Sequence, residues 1–155
     1  MSFVTKQRIF STCLCGALLS MAPLTFAALG GDATSISRDQ SHMRAQLRAS
    51  PSNGYSMHEL QTEAGVNVRE YIAGGKVFAV TWSGPALPDL QQLLGAYFPT
   101  FKQSMAERRS RGVRGPVAMH QNDLVVESRG NMRAFSGRAY VPSLLPPQVS
   151  IDEIQ

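Results

Sequence analysis

Three groups of side chains in this 155-residue sequence have types and spacings that can do chemistry. The first is the histidines His42, His58 and His120. Zinc needs three or four converging ligands, usually with one local pair three or four residues apart, and no such pair occurs. His58-Glu59 lacks the second histidine of a helical metalloprotease motif, and the segment around it reads as a strand. Surface or core histidines are the ordinary reading, and no metal or other cofactor is expected. The second group is the carboxylates Glu59 and Glu70, which fall on adjacent predicted strands. Brought together, they would serve general acid–base hydrolysis, with His58 or His120 as further proton carriers. Acids in a sheet are more often solvated face residues. The third group is Arg108, Arg109, Arg111 and Arg114, set among Ser and Gly. Their guanidinium forks match phosphate or carboxylate groups, although a solvated, flexible loop that keeps the protein soluble is the favoured account.

Nucleophilic serine chemistry has little to work with. No G-x-S-x-G or S-x-x-K pattern occurs, and beyond residue 27 the lysines are Lys76 and Lys102. Trp82, beside Ser83-Gly84-Pro85, either packs in the core or lines a groove. Arg133 and Arg138 fall on opposite faces of one predicted strand. One of them is expected to meet a carboxylate such as Glu70 or to line a cleft, so Trp82 and Arg138 are groove candidates.

The elements that must position these residues begin after a leader. Lys6 and Arg8 precede an uncharged apolar run, Ile9 to Met21, and Thr25-Phe26-Ala27 has small residues where a signal peptidase reads. The run is too short for the ~20 residues of a spanning helix. Neither Cys13 nor Cys15 has the leucine and small residues before it that lipoprotein processing uses. Cleavage near Ala27 is therefore expected, placing the chain in the periplasm or outside the cell. Both cysteines leave with the leader, which excludes thiol catalysis, thiolate zinc and disulfides. Of 15 basic residues, Lys6 and Arg8 leave and 13 remain against 11 acidic. That balance is no nucleic-acid signature.

Ser35 to Ala49 is compatible with a short helix, its capping box at Ser37 and Gln40 and Pro51 beyond its end, over a thin stripe of Ile36, Met43 and Leu47. Six strands are expected, at Tyr55–Glu63, Val66–Ile72, Lys76–Ser83, Val117–His120, Leu124–Ser128 and Met132–Val141. Turns fall at 73–75, 121–123 and 129–131. Lys76–Ser83 is apolar on both faces and reads as the central strand. Leu90, Leu93, Leu94, Tyr97, Phe98, Phe101 and Met105 keep helical phase, with Pro88 and Asp89 in the first turn and a kink at Pro99. The reading is an α+β domain, an antiparallel sheet of about six strands with one long kinked amphipathic helix across it. Its divisions are a leader (1–27), a flexible lead-in with the short helix (28–54), the core (55–142) and a Pro-rich, mobile, acidic tail (143–155).

GKVFAVTWSGP at 75–85, PDLQQLLGAYF at 88–98 and RAFSGRAYVP at 133–142, after ALGGD, resemble the domain-of-unknown-function 2844 family of small exported Gram-negative proteins. The resemblance implies an exported single domain. It carries over no activity, cofactor or site residue.

Three functional readings follow. The preferred one is a non-enzymatic periplasmic or secreted binding or accessory module, acting on a cell-envelope partner whose identity is unknown. The second is an envelope-directed hydrolase using Glu59, Glu70, His58 or His120. The third is anionic lipid or glycan binding through Arg108–Arg114.

Overall fold

The computed structural model describes residues 29–32, 46–52 and 54–154. Seven strands follow in order: β1 (Gln46–Ser52), β2 (Tyr55–Gln61), β3 (Asn67–Ala73), β4 (Lys76–Gly84), β5 (Val117–Gln121), β6 (Leu124–Asn131) and β7 (Ala134–Tyr140). They form one antiparallel sheet in the order β1-β2-β3-β4-β7-β6-β5. Between β4 and β5 the chain makes α1 (Leu90–Leu94), a 3₁₀ turn (Gly95–Tyr97) and α2 (Phe98–Ser110). The domain is α+β, with one strand more than expected.

That strand is β1, and it corrects the helix reading at its end. Residues 46–49 are extended, and most of the expected helix, with His42, lies outside the described residues. A thin apolar stripe gave helical propensity little to set against a full ladder to β2. Pro51 is tolerated because β1 is an edge strand.

β4 is central, and Val77 to Trp82 are buried without interruption. On one face the apolar side of the helical segment covers it: Leu93 and Leu94 are fully buried, Phe101 is buried, and Leu90, Tyr97, Phe98 and Met105 pack around them. The break in this segment lies at Gly95, not at Pro99. Gly95 closes α1 with φ 48°, a left-handed value suited to glycine, while Pro99 sits in the first turn of α2, where no N–H is needed. Asp89 is the N-cap of α1, accepting from the N–H groups of Gln91 (2.9 Å) and Gln92 (3.2 Å). The lead-in is anchored where flexibility was expected. Leu29 is buried and donates to the Leu93 carbonyl at 2.9 Å, and Gly30 donates to that of Val77 at 2.8 Å.

The other face is covered in part by the C-terminal segment, which is packed and not a mobile tail. Val149 and Ile154 are buried against Tyr71, Phe78 and Ala79, with Leu144, Leu145 and Ile151 beside them. Phe78 lies next to a register shift at Tyr71/Ile72 and joins this second core.

The expected turn at 129–131 also moves. Arg129 and Gly130 pair with Ser136 and Phe135, so the hairpin turns at Met132-Arg133, with Arg133 at φ 59°. Gly130 reads as a turn residue in isolation. In the sheet the Phe135 ring lies where its Cβ would be.

Leu94→Ala should lower unfolding free energy by about 2–5 kcal/mol in urea denaturation. A Cβ on Gly137 would stand 2.3 Å from the Trp82 ring and 2.6 Å from the Glu127 carbonyl. Gly137→Ala should therefore cost about 1–3 kcal/mol in the same measurement.

Candidate functional site

Strand alternation sorts the sheet's side chains onto two faces, and register then aligns them into rows. On the face shared with the C-terminal segment, one row crosses all seven strands: Arg48, Glu59, Arg69, Thr81, Arg138, Glu127 and Ala118. The next row, toward the Gly84 end, is Gln61, Asn67, Ser83, Ser136 and Arg129. Neither row is covered by the C-terminal segment, whose Ile154 forms one wall. The result is an open groove of about 640 Å³ lined by Asn67, Arg69, Thr81, Ser83, Glu127, Arg129, Ser136 and Arg138.

The charges in this groove are already oriented. Arg69 Nε donates to Glu59 Oε1 at 3.0 Å, and Arg138 Nε donates to Glu127 Oε2 at 2.8 Å. Arg138 Nη1 also donates to the Ile151 carbonyl at 3.0 Å, tying the groove to the C-terminal wall. Arg129 Nε donates to Ser136 Oγ at 3.2 Å. Hydrogen bonding to Glu59 raises the Arg69 pKa further, against burial. Burial, and then the charge of Glu127, push the Tyr140 phenol up. The lining thus offers guanidinium donors beside hydroxyls that donate and accept.

A family model described as "Protein of unknown function (DUF2844)" matches residues 25–154. The chain belongs to the DUF2844 family. No match is found among curated proteins or solved structures.

The two groove residues named from sequence, Trp82 and Arg138, both border this one groove of the DUF2844 domain. They do so differently. Trp82 is 2 % exposed, its ring packs over Gly137 in the helix-side core, and its buried Nε1 has no hydrogen-bond partner among the described residues. It supports the groove from beneath and offers no aromatic platform. Arg138 lies in the groove and meets Glu127; the expected partner Glu70 is on the opposite face. Arg133 sits at the exposed β6–β7 tip, outside the lining of this groove.

The two carboxylate candidates do not converge. Glu59 and Glu70 lie on opposite faces of the sheet, Glu59 paired with Arg69 and Glu70 fully buried on the helix side. Glu70 instead stands directly across from His58. His120 is exposed on the edge strand β5, at the far side of the sheet from β2. Among the described residues no three His, Cys, Asp or Glu side chains come together to hold a metal ion. The four loop arginines fall at the end of α2 and in the following loop. Arg108 Nη2 donates to the Pro116 carbonyl at 2.8 Å, Arg111 lies 3.7 Å from Glu107, and Arg109 and Arg114 are exposed. Pro116 belongs to the groove lining, so this loop is pinned to the groove's β5 rim.

Arg69, Thr81, Glu127, Arg129 and Ser136 escaped sequence reasoning. A signal was present in the polar residues two apart on four strands, Asn67/Arg69, Thr81/Ser83, Glu127/Arg129 and Ser136/Arg138. Each pair marks a solvated face by itself, and only register joins the pairs.

His58 supplies a pH test. Burial lowers its pKa below 6.5, so as pH falls through 6.5 the unfolded chain takes up a proton that the folded chain refuses. Stability due to this group is therefore present above that value and lost below it. Thermal melting across mildly acidic pH should show this loss, and His58→Gln should flatten that part of the profile.

Proposed function

We propose that this DUF2844 protein is a non-enzymatic binding or accessory module of the Gram-negative envelope, periplasmic or secreted after cleavage near Ala27, and that the polar groove holds its ligand. The observation that carries the reading is the row Arg48–Glu59–Arg69–Thr81–Arg138–Glu127, in which Arg69 is held by Glu59 and Arg138 by Glu127. Such arginines keep spare N–H donors in fixed positions, so a ligand need not bear the cost of ordering them. Glu59 and Glu127 offset Arg69 and Arg138, while Arg129 is held by the uncharged Ser136 and leaves the groove net positive, which favours an acidic ligand. His58 and Glu70 face each other across β2 and β3 on the helix side, Glu59 lies on the other face beside Arg69 and His120 stands on the edge strand β5, so the four hydrolase candidates share no single centre. The leader pattern supports export.

Two measurements test this. Protein recovered from the envelope of an expressing bacterium should begin at or near Ala28 by mass spectrometry; an intact leader would overturn export. Crosslinked pull-down from envelope extract should recover acidic material that Arg138→Lys, which keeps the charge but loses the fork, retains about tenfold less well. Equal recovery by both proteins would remove the groove from the reading.

A further inference from the structure

We infer that the Gly84 end of the sheet is a docking surface for an anionic lipid bilayer. Three large hydrophobic side chains are exposed among the described residues: Leu87 (48 %), Val113 (46 %) and Met132 (94 %). Single exposed apolar residues are ordinary and need no explanation. Here all three belong to one end of the sheet. Leu87 follows β4, Met132 is at the tip joining β6 to β7, and Val113 precedes β5. These strands are consecutive in the order β4-β7-β6-β5, so the three loops span about 14 Å, three inter-strand steps.

The charge at this end has one dominant sign. Arg109, Arg111 and Arg114 flank Val113, and Arg129 and Arg133 flank Met132; all five are exposed. The segments 84–88, 110–116 and 129–135 contain no acid. The nearest carboxylates on these elements are engaged, Asp89 at the α1 N-cap and Glu107 beside Arg111. Glu63 is on the β2–β3 turn, beyond β4. Apolar loop tips ringed by arginine match an interface in which acyl chains take the tips and lipid phosphates take the guanidinium groups. An acidic polysaccharide would use the arginines and leave Met132, the most exposed apolar side chain, without a role. No described helix is long and apolar enough to cross a membrane, so docking at this end is peripheral. The surface is separate from the groove ligand, although Arg129 borders both.

The test uses the processed chain, which lacks both cysteines of the leader, so a single Met132→Cys can carry an environment-sensitive fluorophore. With vesicles of phosphatidylglycerol and phosphatidylethanolamine the probe should shift to the blue, and with phosphatidylcholine alone it should not. A probe at Lys76→Cys, on the opposite end of β4, should stay unchanged. In vesicle sedimentation Met132→Asp should reduce binding by roughly tenfold or more. Arg114→Gln should reduce it about fivefold, and added salt should weaken it. These side chains are exposed, so an unchanged melting temperature verifies the fold of each variant. Equal binding to neutral vesicles, an unshifted probe at position 132, or retention of polygalacturonate without binding to either vesicle would overturn the inference.

Discussion

Every other element of the molecule is placed by the need to cover β4, whose residues Val77 to Trp82 are buried in succession, Val77, Val80 and Trp82 on the helix side and Phe78 and Ala79 on the C-terminal side. A strand apolar on both sides cannot sit at an edge or face water on either side. It therefore takes β3 and β7 as ladder partners and needs a cover on each face. The helical segment from Leu90 to Ser110 supplies one cover and carries the chain to the far edge of the sheet, from which β5, β6 and β7 return to β4. The C-terminal segment supplies the other. Leu29 and Gly30 clamp the first cover to β4 through the Leu93 and Val77 carbonyls.

The two covers differ in extent, and the difference makes the groove. The helical segment lies over a largely apolar surface of the sheet, in which Glu70 is also buried. The C-terminal segment packs its apolar side chains Val149 and Ile154 on the rows of Tyr71, Phe78 and Ala79 and meets the next row only at its margin, through Ile154 and the Ile151 carbonyl. The rows beyond contain arginine, glutamate, threonine, serine and asparagine, which gain nothing from an apolar cover and satisfy one another across strands. The groove is thus the part of the sheet that folding left polar. Its arginines are held by Glu59, Glu127, Ser136 and the Ile151 carbonyl, so its shape is tied to the same ladder and wall that stabilise the fold.

Close packing at one point shows how the two faces depend on each other. Trp82 fills the helix-side core only because its cross-strand neighbour is Gly137, whose missing side chain leaves room for the indole. On either side of Gly137, Ser136 and Arg138 point to the groove. Glycine at this position thus serves the core on one face while its neighbours furnish the site on the other.

Much of this was legible from residue order alone. The helical phase of Leu90 to Met105, the two-faced apolarity of β4 and the alternation in β3 are local patterns, set by the periods of helix and strand. They determined the fold class, the central strand and the face the helix buries. Four features were not local. Gly95, not Pro99, breaks the helical segment, because a proline in a first turn costs nothing. Residues 46–49 became strand because a ladder partner outweighed a weak helical stripe. Gly130 joined a strand because Phe135 covers it. Thr81 and Arg138 met across β4 and β7 although 57 positions apart in the chain. Period two states which residues of a strand share a face, but register between strands so distant in sequence is set only when both covers close on the sheet. That register decided which arginine meets which carboxylate, and so decided the groove.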